Sequence, residues 1–150
     1  TPIIILTGNS ETENKIALLN AGADDYVVKP FSSAELIARI ASVLRRPSTS
    51  QAVVHTVGDI TIDTAAHRVR VKDQEIPLTL KEYSLLECFL RRPGEVFTRE
   101  ELCNQVWDFN ALTLSNVLDV HMKNLRKKLQ KINNSARFET VRGVGYRFVA

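Results

Sequence analysis

The chain has 150 residues, 44% of them hydrophobic and 25% charged, with a formal net charge of +3. These totals describe a soluble globular chain able to build a core, as one ordinary domain or a small domain plus a fragment. No apolar run approaches the roughly 18–20 residues needed to cross a bilayer, and the longest, Ile3-Ile4-Ile5-Leu6, is strand-sized. The N-terminus lacks the basic-then-apolar pattern of a secretory signal. It also begins inside an apparent strand, so an upstream targeting segment stays open; the expected compartment is the cytoplasm. Cys88 and Cys103 form no CxxC pair, and His55, His67 and His121 lie far apart. Two buried free thiols are expected, not a zinc site.

The β-branched run from Ile3 to Leu6 ends at Thr7-Gly8 and reads as a strand buried on both faces. Thr12 to Asn20 reads as a helix ending near Gly22. Asp25-Tyr26-Val27-Val28 reads as a second strand, closed by Lys29-Pro30. Ser33 to Leu44 places Leu36, Ile37, Ile40, Val43 and Leu44 on one side of a helix, with Ser32 or Ser33 as the N-cap. The order β-α-β-α predicts a parallel α/β sheet. Two strands are too few to stand alone, so the sheet is expected to be completed by missing residues or by another chain.

Residues 45–52 are rich in Pro, Ser, Thr and Gln and read as a linker. Gly58 to Asp63, His67 to Val71 and Glu75 to Leu78 then predict a small antiparallel sheet, with a turn at Lys72-Asp73-Gln74. Thr79 and Glu82 form a capping box for a helix whose inward stripe is Leu85, Leu86, Phe89 and Leu90, stopped by Pro93-Gly94. Thr98 and Glu101 repeat the device for a helix running through Leu102, Val106 and Trp107. After a loop over Asp108 to Thr113 comes a long helix, 114–132, with Leu118, Met122, Leu125, Leu129 and Ile132 spaced 4, 3, 4, 3. A hairpin, Phe138 to Phe148, closes the chain. Sheet, three helices and hairpin make a winged helix-turn-helix.

The charge is uneven. Residues 1–51 are neutral, whereas residues 123–147 carry eight Lys/Arg against Glu139 alone. That local excess is an electrostatic footprint for a polyanion. A helix with a basic loop beside it is what duplex DNA accepts, in the major groove and on the flanking backbone or minor groove. The face opposite the leucine stripe carries Asn116, Val117, Val120, Lys123, Asn124 and Lys127. Paired catalytic carboxylates, a Ser/His/Asp set and a Gly-rich phosphate loop are not evident, so no enzymatic reading is made.

The string Leu78-Thr79-Leu80-Lys81-Glu82-Tyr83, with Arg92-Pro93-Gly94 and Thr98-Arg99-Glu100-Glu101-Leu102, resembles the effector domain of OmpR/PhoB-type response regulators. So do Asp119-Val120-His121, Leu125-Arg126-Lys127-Lys128-Leu129 and Thr140 to Phe148. The N-terminal piece resembles the last part of a receiver domain, from its fourth strand onward. The implied fold is an α/β receiver fragment (β-α-β-α, incomplete flavodoxin-like) joined to an α+β winged helix-turn-helix domain. The expected division is 1–46, a truncated receiver; 47–54, a linker; and 55–150, the DNA-binding domain.

By that resemblance Thr7 and Tyr26 are the receiver's switch pair, and Lys29 is its phosphate-sensing lysine, followed by a cis proline peptide. A receiver also needs an acidic Mg²⁺-binding pair and a phosphoacceptor aspartate on earlier strands. Nothing before Thr1 carries them, and Asp24 and Asp25 lie at the wrong place to substitute. The chain as given is therefore expected to need no cofactor, to bind no Mg²⁺ and to accept no phosphate. It reads as a shortened regulator, whether by truncation, proteolysis or nature.

The resemblance places Asn116, Val117, Val120 and Asn124 nearest the base edges. Asparagine pairs with adenine and Val120 suits a thymine methyl, which implies an A/T-leaning half-site. His121, Lys123, Arg126 and Lys127 are expected at phosphates or bracing the helix. Thr140 and Arg142 complete the DNA-contacting set, Arg142 at a minor groove. Trp107 is expected in the core with its indole N–H open to a phosphate. The resemblance further implies a homodimer through Lys15, Ile16, Leu19, Asp24, Asp25, Glu35, Ala38 and Arg39, with Lys15–Glu35 and an Asp24 or Asp25 pair to Arg39 or Arg46 crossing between subunits. Strand exchange is a rival route to a dimer. The loop over 108–113 is expected to meet RNA polymerase, and a sensor histidine kinase is a partner only of a full-length form. The expected function is sequence-specific regulation of transcription in a two-component phosphorelay. The alternative is a dimerisation module that titrates a partner regulator without activating transcription.

Overall fold

The structure is a computed structural model, described here over residues 2–8, 11–44, 54–107, 115–132 and 137–149. The first unit runs β1 (Ile4–Thr7), α1 (Thr12–Asn20), β2 (Asp25–Val28) and α2 (Ser33–Leu44). The two strands pair in parallel, Ile4 opposite Asp25 and Thr7 opposite Val28. The chain leaves α1 through Gly22 at φ +107°, a conformation that glycine adopts without a Cβ clash. Ser32 is the cap of α2, its Oγ accepting the Glu35 N–H at 3.1 Å. The Lys29–Pro30 peptide is cis.

The single apolar side expected of α2 does not close. Val43 is buried, but Ile37 is 66% exposed, and Ile40, Leu44, Ile3 and Leu6 are exposed as well. Two strands form too narrow a surface to cover a whole helix face.

The second unit opens with an antiparallel meander, β3 (Val54–Val57), β4 (Ile60–Asp63), β5 (Arg68–Val71) and β6 (Gln74–Glu75). β3 lies at the edge of the stretch read as linker and was not anticipated. The strand expected over Glu75 to Leu78 shrinks to β6 because Pro77 has no N–H to offer a ladder; Ile76 still donates to the Val69 carbonyl at 2.9 Å.

There follow α3 (Leu80–Arg91), β7 (Val96–Thr98), α4 (Arg99–Val106), α5 (Ser115–Gln130), β8 (Arg137–Val141) and β9 (Gly145–Val149). Both capping boxes form, Thr79 with Glu82 and Thr98 with Glu101. β7, unforeseen at three residues, pairs with β9 to give the order β7-β9-β8. The core is continuous: Leu85, Leu86 and Phe89 of α3 join Leu118, Leu125 and Leu129 of α5. Phe89 meets both Phe97 and Phe138 at 5.1 Å between ring centroids. Tyr146 and Phe148 are buried and anchor the hairpin. The loop expected to meet polymerase, 108–113, lies outside the described residues, as does 45–53 of the linker.

Candidate nucleic-acid interface

At 100° per residue, α5 divides into three sides. Leu118, Met122, Leu125 and Leu129 are at most 1% exposed and grip α3 and α4. Asn116, Lys123 and Lys127 are exposed on the far side, with Arg126 half-buried beside them. Lys128 leaves that basic set: it reaches inward to Glu82 Oε2 at 2.6 Å, so one carboxylate serves both the α3 capping box and α5.

The hairpin of β8 and β9 stands next to this basic side. Arg142 is exposed in its turn, and Gly143 adopts φ +73°. Gly145 serves packing: a Cβ there would lie 1.9 Å from the Phe97 carbonyl oxygen of β7. Two side-chain ties hold hairpin to helix. Asp119 accepts from the Arg99 guanidinium and, at 2.5 Å, from the Tyr146 hydroxyl. Arg126 Nη2 donates to Thr140 Oγ1 at 3.3 Å. Arg147 is committed elsewhere, to Glu139 at 2.6 Å, and holds that carboxyl below its usual range.

The third side of α5 corrects the sequence reading. Val117 and His121 are 1% exposed and Val120 is 6% exposed, although Val117 and Val120 were expected at base edges and His121 at a phosphate or bracing the helix. Val120 lies about 200° round the helix from Leu118, so the second unit's own core does not reach it. The cover is α1, which packs along α5. Leu19 and Ala23 join the same apolar cluster as Val117 and Val120. His121 Nε2 sits 3.1 Å from the Asp24 carbonyl oxygen, and its ring lies 5.7 Å from that of Trp107. Burial pushes the His121 pKa down to about 4, with Lys81 and Lys128 adding to the fall and the Asp24 carbonyl opposing it. Trp107 is core-packed as expected, but its indole N–H is buried without a partner and cannot meet a phosphate in this arrangement.

Lys81 pins the same contact from the other side. It is 1% exposed, donates to the Ser42 carbonyl at 2.9 Å and the Val106 carbonyl at 2.7 Å, and lies over the Trp107 ring. Both carbonyls belong to last turns of helices, where backbone acceptors lack an intrahelical donor and a cation is favoured. Ser42 Oγ in turn donates to the Trp107 carbonyl. Sequence reasoning missed this lysine, because a single Lys just inside a capped helix carries the pattern of a solvated surface residue.

The residues expected at a dimer face make contacts within this chain. Leu19 is buried and Ile16 packs beside it. Asp24 and Asp25 are buried; Asp25 pairs with Arg39 of the same chain at 3.0 Å, and Arg39 also holds Glu35 at 3.1 Å. Lys15 lies over the Tyr26 ring, not against Glu35. Ala38 is half-buried. Of the residues expected to act as the receiver's switch pair and phosphate sensor, Thr7 and Tyr26 sit half-buried on paired strands, and Lys29 is exposed just past β2. The two cysteines are free, and burial raises both thiols, Cys88 to about 11. Among the described residues there is no cluster of three potential metal ligands, and no helix is long and apolar enough to cross a membrane.

Residues 73–148 match the family described as "Transcriptional regulatory protein, C terminal", and residues 1–41 match "Response regulator receiver domain". The response regulator ArlR of Staphylococcus aureus is 46% identical over 146 residues, 97% of this chain and 66% of ArlR, so the chain spans just under two thirds of that relative. The solved structure of a RitR mutant superposes with a TM-score of 0.79 at 31% identity, over 99% of this chain and 67% of that one. The AdeR DNA-binding domain, solved in complex with an intercistronic region, gives 0.56 at 36% identity, over 62% of this chain and 95% of that one. In sequence along its whole length and in the fold of both units, this chain belongs to the OmpR/PhoB-type response regulators.

Proposed function

We propose that the chain is a sequence-specific DNA-binding regulator of transcription whose reading element is α5 with the β8–β9 hairpin. The observation that carries this is the juxtaposition of an exposed basic helix face with an exposed arginine turn, tied together through Asp119 and Thr140. A helix fits the major groove, and a braced hairpin sets the distance to the neighbouring phosphates or minor groove. AdeR, a relative of the second unit, was solved with DNA bound. Asn116 and Asn124 are proposed to read adenines, and Lys123, Arg126 and Lys127 to hold phosphates.

The arrangement described is a closed one under this proposal. Val117, Val120 and His121 reach a duplex only after α1 moves off α5. The residues proposed for dimerisation, Ile16, Leu19 and Asp24, are covered by the same contact, so dimerisation and base reading compete with closure together. Polymerase contact through 108–113, and a sensor kinase for a longer form, belong to the proposal at the level of the family. The burial of α1 against α5 also favours a second reading, a module that masks itself or a partner regulator without activating transcription.

The test is titration of the chain with duplexes from a randomised pool across salt, followed by a reporter assay. Arg142→Ala should weaken binding on all sequences and reduce the salt slope by about 1. Asn124→Ala should relax preference at one position, by about 1–3 kcal/mol of discrimination. Binding without activation selects the second reading; no binding at low salt removes the first.

A further inference from the structure

The first unit leaves a groove that it does not fill. Asp25 of β2 reaches Arg39 of α2, and Val27 is buried two residues on, so these side chains mark the face of the sheet that α2 covers. Ile4 stands beside Asp25 and Leu6 beside Val27, on that same face. The cover stops short of β1, and Leu6 stays 43% exposed. On α2 itself Ile37, Ile40, Ala41 and Leu44 are exposed and fall within about 100° of one another around the axis. Ser42, on the opposite side of the helix, is turned to the second unit through the Trp107 carbonyl, so the exposed stripe looks the other way. Leu44 and Pro2 line one cavity, which sets the end of the stripe beside the start of β1.

The floor of this groove ends in an open edge. Among the described residues β1 pairs with β2 alone. The Ile3 and Thr7 carbonyls accept the Asp24 and Lys29 N–H groups at 2.9 and 2.7 Å. Alternate residues of a strand direct their backbone groups to opposite edges, so Ile3, Ile5 and Thr7 face β2 while Ile4 and Leu6 face outward. An edge of this kind is a template for another strand. Its apolar flank has the size an interface needs. Leu6, Ile37, Ile40 and Leu44 leave roughly 400 Å² in water, about half of the roughly 800 Å² that each partner buries in a standard interface, before Ala41 and the strand backbone are counted.

We propose that a second copy of this chain fills the groove, strand edge to strand edge and stripe to stripe. About a two-fold axis through Ile5, perpendicular to the sheet, the two β1 strands run antiparallel. Ile4 then lies opposite Leu6 of the partner subunit, and each such pair exchanges N–H and C=O. The sheet reads β2-β1-β1-β2 with both α2 helices on one face, and the narrow pair of strands becomes a surface wide enough to carry a second layer. Arg39 reaches the Asp25 side chain beside Ile4, so Ile37, half a turn earlier, lies level with the axis and meets Ile37 of the partner subunit. The second unit lies toward the Pro2 end of β1, and antiparallel pairing carries the two second units to opposite ends. On the other face of the sheet Ile5 and Tyr26 join Ile16 against the main core, so the contact of α1 with α5 stays in place. This association is separate from the dimer face proposed above, which competes with closure, and it does not rest on the DNA-reading role.

The experiment is sedimentation equilibrium of the whole chain from about 1 to about 300 μM, with amide exchange followed by NMR over the same range. The mass should double with a Kd of about 30 μM, so at about 1 μM the chain is a single copy with Ile37 in water. The Ile4 and Leu6 amides should gain protection as the concentration rises. Ile37→Glu, at a side chain 66% exposed in the single copy, should weaken association at least about tenfold. An equimolar mixture of Ile37→Glu and Ile37→Lys should restore it, because opposite charges then meet at the axis. Lys15→Ala, on the other dimer face, should leave it unchanged. A chain that stays monomeric at about 300 μM overturns the proposal and gives the groove to another occupant, a segment of a longer protein or a different partner. A dimer that survives Ile37→Glu, one that Lys15→Ala dissociates, or a mixture that associates no better than either variant alone overturns it as well.

Discussion

The two units follow the same rule of amphipathic elements with opposite outcomes. In the second, the main apolar stripes find their cover inside the unit: α3, the leucine stripe of α5 and the hairpin share one aromatic and aliphatic core. In the first, α2 leaves Ile37, Ile40 and Leu44 exposed, while α1 gains its cover by lying on α5 of the other unit. A unit that closes on itself is stable on its own terms. One that borrows cover couples its position to whatever it borrows from, and here the lender is the helix proposed to read DNA.

The sharpest break in that comparison is a pair of truncations. Leu86→Ala, at a site with no exposure, should cost about 2–5 kcal/mol in urea unfolding. Ile37→Ala should change stability by no more than about 0.5 kcal/mol. Comparable costs would mean that the first unit is as self-contained as the second.

Acid should loosen the borrowed contact next. His121 stays neutral while closed down to about pH 4, and once exposed it takes a proton near its ordinary value of about 6.5. Below about 6.5 the open form therefore binds more protons, and closure weakens as pH falls, levelling off below about 4. The full effect is on the order of 3 kcal/mol, read as a fall in the protection factors of the α1 amides, each rate taken relative to its intrinsic value at the same pH. His121→Phe should flatten that dependence.

Lys81→Met should be smaller. It strips donors from the Ser42 and Val106 carbonyls and should cost about 1–3 kcal/mol in urea unfolding. A neutral outcome would show that water replaces the ammonium at both helix ends.

The effector fold was legible because its signals are local. Two Thr/Glu capping boxes, a 4-3-4-3 apolar spacing and a hairpin with Gly143 each state their own structure. The strands that escaped, β3 and β7, are three or four residues long and draw their existence from partners distant in sequence. The candidate site was half legible. The basic face and Arg142 follow from helical period and charge. The fate of Val117, Val120 and His121 was not legible. Their burial depends on where α1 docks, roughly a hundred residues earlier, and no periodicity within α5 encodes it. Lys81 escaped for the same reason, since its partners come from other elements, and the Asp25–Arg39 pair was read between subunits where the structure forms it within one chain.

The most direct test places a charge in the borrowed contact. Leu19→Glu should push α1 off α5 without touching the second unit's core, and the chain should then bind its selected duplex roughly tenfold more tightly at the same salt, with an unchanged salt slope. A duplex affinity that stays the same or falls, in a variant that still unfolds cooperatively, would contradict the account of α5 as a reading helix covered by α1.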